Sequence, residues 1–163
     1  MRLLVFALAL FASPALAQNA DFLIGRPVLQ LPGGWGSVGG TLLDPPGAEP
    51  SHTLSMYEQV GTGNVLFTYA RTEEMVDDRY PLSRILAVLL LDDIRDGEIA
   101  TWSACVDTNQ RPAVVIAGEY QILEDEGVSR LGPVRLAWRL DRDAEQFVSV
   151  ASTAVTCPDE TLP

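Results

Sequence analysis

Apolar and polar residues alternate most cleanly late in the chain. Val134, Leu136, Trp138 and Leu140 interleave with Arg135, Ala137 and Arg139. A period of two sends successive side chains to opposite faces of a strand, so this stretch predicts a strand with one apolar face. Residues 141–145 supply a turn, residues 147–156 a returning strand, and Cys157 ends it. The same period runs through residues 52–60 and 64–71, which flank Gly61-Thr62-Gly63 and predict a hairpin. Val114-Val115-Ile116 predicts a further strand, opening at Pro112, where a missing backbone donor is tolerated. Residues 72–80 are acidic and polar and read as a connection, and residues 124–127 as a loop.

Two segments resist this reading. Residues 82–91 are a leucine-rich apolar run, and Pro81 and Gly97 could open and close a helix around it. The run Asp92-Asp93-Ile94-Arg95-Asp96-Gly97 is also a good turn, with a plausible strand at residues 99–106 after it. A second hairpin is therefore favoured, and a helix near residues 82–95 stays open as the alternative. Residues 18–51 are rich in glycine and proline and are expected to be irregular. Phe22-Leu23-Ile24 and residues 28–31 could form short docking strands, with loop from Gly33 through Gly47.

The first 17 residues are a separate matter. Arg2, an apolar run from Leu3 to Ala12, and Ala15-Leu16-Ala17 have the layout of a secretory signal cleaved between Ala17 and Gln18. The run is short for a membrane span and carries Pro14, and Gln18 is not the cysteine a lipid anchor would use. The expected product is exported, periplasmic or extracellular, without membrane insertion. It comprises an irregular segment (residues 18–51) and one β-rich domain (residues 52–160), with no internal repeat.

Charge narrows the partners. The chain carries 22 acidic and 11 basic residues, for a formal charge of −11. All the basic residues are arginine. Nucleic-acid binding needs a basic footprint, so it is excluded as an expectation, as is attraction to an anionic membrane. A cationic protein or peptide remains a candidate partner, against the plainer reading that the charge only keeps the protein soluble. Without lysine, the chain has no Schiff-base lysine and no phosphate-loop lysine.

Cys105 and Cys157 are the only cysteines. In an exported chain an even count predicts a disulfide, and their spacing is unlike the Cys-x-x-Cys of redox sites.

Other candidate chemistry is thin. Residues 34–39 match Gly-x-Gly-x-x-Gly, but no helix of useful length follows, so no dinucleotide site is expected. His52, the single histidine, neighbours Ser51 and Ser55 without the Gly-x-Ser-x-Gly pattern of a nucleophile elbow, and is read as a loop histidine. Neither Asp92 nor Asp141 opens an acceptable calcium loop, because the required positions hold Ile94, Ser103 and Gln146. Glu73, Glu74, Asp77 and Asp78 read as a solvated patch. Arg135 and Arg139, four apart on one strand face, could clamp an anion but are expected to pair with acids. Trp138 is expected in the core, whereas Trp35, set among glycines, is the tryptophan to consider for binding. The cysteine–tryptophan–cysteine pattern of immunoglobulin domains is not met, since Trp138 lies far from Cys105 and Val155 stands where that pattern needs tyrosine.

The expectation is thus a mainly β domain of antiparallel hairpins, sandwich- or barrel-like, or α+β should residues 82–95 be helical. No catalytic residue, metal or cofactor site is assigned. The expected role is non-enzymatic binding or envelope association, with a cationic partner as its specific form. The rivals are a carboxylate-based hydrolase of the envelope and a purely structural envelope module.

Overall fold

The computed structural model describes residues 20–28, 31–45, 47–49, 51–76, 80–102 and 105–161. The expected leader and its Ala17–Gln18 cleavage point lie outside these residues. The described chain is mainly antiparallel β, with no helix of seven or more residues.

The first sheet is a four-stranded meander of β1 (Trp35–Leu42), β2 (His52–Gln59), β3 (Val65–Val76) and β4 (Tyr80–Leu91). The second uses β5 (Glu98–Thr101), β7 (Ala113–Gly118), β10 (Val134–Asp141) and β11 (Gln146–Val150), in the spatial order β11-β10-β7-β5. Two small sheets complete the chain. β6 (Val106–Asp107) pairs with β12 (Val155–Thr156), while β9 (Val128–Arg130) lies between β8 (Gln121–Leu123) and β13 (Glu160–Thr161).

The two large sheets stack as a sandwich. Leu54, Val65, Phe67 and Leu91 of the first meet Ala100, Val114 and Ile116 of the second, with Trp102, Trp138 and Phe147 packed around them. Trp138 is therefore part of the core surround, as its apolar strand face implied. Each sheet also buries its other face. Leu66 and Ile85 pack outward against Ala20, Leu23, Val28, Leu31 and Trp35. Ala113, Val115, Ala117 and Ala137 pack outward against Cys105, Cys157, Val150 and Val155.

This double burial explains where the sequence pattern misled. The leucine-rich run at residues 82–91 is not helical. It lies in β4, which pairs with β3 along its length. Ile85, Val88 and Leu90 serve the outer cluster, whereas Leu86, Ala87, Leu89 and Leu91 face the inter-sheet side. A strand wanted by both faces shows no alternation, and packing overrides the helical preference of leucine. The favoured second hairpin is also corrected: β4 pairs with β3, β5 pairs with β7, and residues 92–97 carry the chain between sheets. The strand expected at residues 99–106 stops at Thr101, and β6 begins separately.

Two expected connections are strand. The expected loop through Gly33 to Gly47 contains β1, the outer strand of the first sheet. Most of the acidic connection at residues 72–80 belongs to the long β3–β4 hairpin. The returning strand at residues 147–156 is interrupted by a short 3-10 turn at Ser152–Ala154. The hairpins over residues 52–71 and 134–150 form as their alternation implies. Gly61 and Gly63 take φ values of 86° and 71° in the first of these turns, a region that disfavours side chains. The strict alternation of β10 is broken, because its register against β7 shifts between Val134 and Leu136, leaving Arg135 as a bulge. Val134 and Ala137 therefore both reach the outer cluster although three positions apart.

Cys105 and Cys157 form a disulfide with a Cα–Cα separation of 4.1 Å. It continues the β6–β12 register, in which Thr156 lies opposite Val106. Closing a sequence separation of 52 residues is expected to contribute about 4 kcal/mol by restricting the unfolded chain. Reduction, or Cys105→Ala with Cys157→Ala, should lower the urea midpoint accordingly. An unchanged midpoint would show that the cover over the second sheet holds without its covalent tie.

Among the described residues, one buried side-chain polar atom has no hydrogen-bond partner. Thr68, fully buried in β3, leaves its Oγ1 without a hydrogen bond. Thr68→Val keeps the shape and removes that cost, so it should stabilise the fold by about 1 kcal/mol. A lower thermal midpoint for this variant would contradict that assignment.

Candidate functional site

Three places bring chemically capable side chains together. The first lies where β1 turns into β2. Asp44 sits just past β1, and His52 opens β2. The His52 backbone N–H donates to Asp44 Oδ2 at 2.7 Å, and His52 Nδ1 lies 2.6 Å from the same oxygen. From the second sheet's β10–β11 turn, the Arg142 guanidinium bonds the other Asp44 oxygen and donates to the Leu43 carbonyl at 3.3 Å. The His52 ring stacks on the buried Tyr69 ring at 5.5 Å between centroids. The cluster thus pins the β1–β2 connection to the opposite sheet. Arg142 foremost, then His52, holds the Asp44 carboxyl down at about 2, against the opposing effect of burial.

His52, read from the sequence as a loop histidine, instead opens strand β2 and is held there by hydrogen bonds. The partners of its ring Nδ1 are Asp44 and Arg142, and neither Ser51 nor Ser55 is among them. Beside the cluster is a cleft of about 300 Å³ with Leu43, Pro112 and Leu140 as apolar wall and Arg111, Asp141, Arg142 and Asp143 as polar wall. Arg111 is held there by Asp107, which accepts its Nε–H at 2.9 Å and its backbone N–H at 3.0 Å. Burial alone would raise the Asp107 carboxyl, but these donors and the Asn109 N–H bring it below its usual value.

The second place holds a residue chosen from the sequence. Arg135, at the β10 bulge, donates from Nε to Glu98 at 2.7 Å and from Nη1 to Asp93 at 3.1 Å. Arg139 instead meets Asp141 at 3.4 Å. The two arginines hold different carboxylates, as expected for so acidic a chain, and form no joint clamp. Trp35 is half-buried in the outer cluster of the first sheet and pairs with Gln59 across β1–β2. Among the described residues, no group of three or more histidine, cysteine or acidic side chains is arranged to hold a metal ion.

The third place was not legible in the sequence. The sandwich is closed along one side, where β4 lies against β11. On the other side stand the outer strands β1 and β5, and the chain places Trp102 between them. A methyl group on Gly39 would come within 3.3 Å of the Trp102 ring, so glycine allows this contact. The Trp102 ring also meets Phe67 edge-on at 5.8 Å. A groove of about 420 Å³ lies beside it, with Val38 and Glu58 on one wall and Ile94, Ile99 and Thr101 on the other. A second hollow of similar size continues past Trp102 along Thr41, Leu42 and Val106. The tryptophan itself was the one available signal; its position needs the pairing of both sheets.

No family model matches this chain, and no curated protein or solved structure resembles it significantly.

Because the Asp44 pKa lies below its reference of 3.8, its carboxylate stabilises the fold above about pH 4, and that contribution is lost as pH falls toward 2. Discounted for the half-exposed Arg142, Asp44→Asn should cost about 1–2 kcal/mol at neutral pH and almost nothing near pH 2. Urea midpoints of both proteins across this range test it. An equal cost at both ends would make the role of Asp44 one of shape rather than charge.

Proposed function

We propose that the protein is an exported, non-enzymatic binding module for a cationic protein or peptide. The supporting observation is the way charge is distributed. Arg84, Arg111, Arg130, Arg135, Arg139 and Arg142 are each ion-paired within the chain. Among the described residues, Glu58, Asp92, Asp96, Glu119, Asp143 and Glu145 have no such partner. With a formal charge of −11, the surplus is negative and available, while most of the described arginines are occupied. Export rests on the signal-like residues 1–17 and accords with the disulfide. No described helix is long and apolar enough to cross a membrane.

The hydrolase reading finds less support. Glycoside hydrolysis by paired carboxylates needs one raised carboxyl to act as acid. The perturbed carboxyls of Asp44, Glu73, Glu98, Asp107 and Asp159 are all lowered. A purely structural module would have no use for a groove left between two strand edges.

A short all-arginine peptide is expected to bind at low salt, with an all-glutamate peptide inert. Raising salt to about 0.3 M should weaken the complex at least tenfold. Calorimetric titration reads both. Absence of binding by the arginine peptide at low salt would overturn the proposal.

A further inference from the structure

We infer that β1 and the groove beside Trp102 form a docking edge for an extended, basic segment of a partner, which adds to the first sheet as a further strand. This rests on the binding reading and gives it a place. β1 is eight residues long and among the described residues pairs only with β2, so on either side of its bulge alternate backbone amides and carbonyls face away from the sheet. Such an edge is a template for another strand, with main-chain bonds giving affinity and pockets for alternate side chains giving selectivity. The groove supplies those pockets, with Val38 half-exposed on one wall and Trp102 as a divider.

Two of the large apolar side chains exposed to solvent lie on β1, Val38 at 53 % and Leu42 at 60 %. A monomeric protein has little reason to collect them on one strand edge.

Charge selects the occupant. No basic side chain lines the groove among the described residues, whereas Glu58 stands in it without an ion-pair partner. Asp92 and Asp96, on either side of the groove residue Ile94, are also unpaired. Arg95 lies near Glu98, whose Oε2 accepts the Arg95 N–H at 3.0 Å. Glu98 in turn holds Arg135, so the local balance stays negative. A strand with apolar residues on one face and basic residues on the other meets both demands. A second copy of this acidic chain meets only the first.

The test uses a synthetic peptide of about eight residues alternating lysine and valine, with its glutamate–valine counterpart as control. The lysine peptide should bind and slow amide hydrogen exchange along β1, and the glutamate peptide should do neither. Val38→Asp adds a negative charge but removes an apolar contact, so it should weaken binding at least tenfold. Ile122→Asp, adding the same charge on exposed β8, should leave binding within about twofold or strengthen it slightly. If Val38→Asp binds as well as the unaltered protein or better, or β1 exchange does not slow, surface charge alone holds the peptide. The docking edge then falls while the cationic-partner reading stands. If neither the lysine–valine nor the all-arginine peptide binds at low salt, both fall. Sedimentation showing a dimer with protected β1 amides in the absence of peptide would overturn the inference in favour of self-pairing.

Discussion

Both large sheets are apolar on both faces, and the rest of the structure follows from that constraint. Two such sheets can cover each other only once, so two outer faces remain to be buried. Residues 20–28 together with Leu31 cover the first, laying Leu23 and Val28 over Leu66 and Ile85. The C-terminal segment covers the second, placing Val155 and Cys157 over Ala113, Val115 and Ala117. Neither cover is a long strand or helix, and each relies on a few contacts. The disulfide lies within the second cover, where a short two-residue ladder of β6 and β12 has little cohesion of its own. Small alanines beneath it let that layer approach closely. The tie therefore secures a face of the second sheet as well as restricting the unfolded chain.

Legibility in the sequence tracked the number of buried faces and the regularity of pairing. The β2–β3 and β10–β11 hairpins were readable because their turns are short and marked by Gly61, Gly63 and residues 142–145. β4 was not, because Leu86 to Leu91 serve two cores and lose the period of two. β1 was hidden by its glycines. Gly39 and Gly40 look like loop composition, yet a Cβ at Gly39 would crowd Trp102, and one at Gly40 would lie 3.0 Å from the Leu54 carbonyl oxygen and from Ser55 Oγ. Those glycines mark close approach within a strand. The jump from one sheet to the other at residues 92–97 has no local signature, since a turn sequence does not specify which strand its far end will join.

The same division applies to the sites. Occupied arginines could be anticipated from composition, because 22 acids leave few cations unpaired. Their particular partners could not. Arg135 reaches Glu98 from β10 past the intervening β7, and the bulge at its own position is a product of strand pairing. Asp44 and His52 are near in sequence, but Arg142 joins them only because the two sheets stack. The groove is further from the sequence still, since its two walls come from different sheets.

An open strand edge on a protein that works alone is a hazard, and proteins usually blunt such edges with charge, bulges or covering segments. β1 carries one of these devices, a bulge between Ser37 and Gly39. Glu58 of the neighbouring β2 supplies charge beside it. These features do not close the edge; they restrict what can pair with it. A second copy would bring an equal surplus of negative charge to the same place, so self-pairing works against like-charge repulsion. A basic strand meets attraction instead. On the proposed reading, the acidity of the whole chain and the acidity of the groove act in the same direction, opposing self-pairing at this edge and favouring a basic strand.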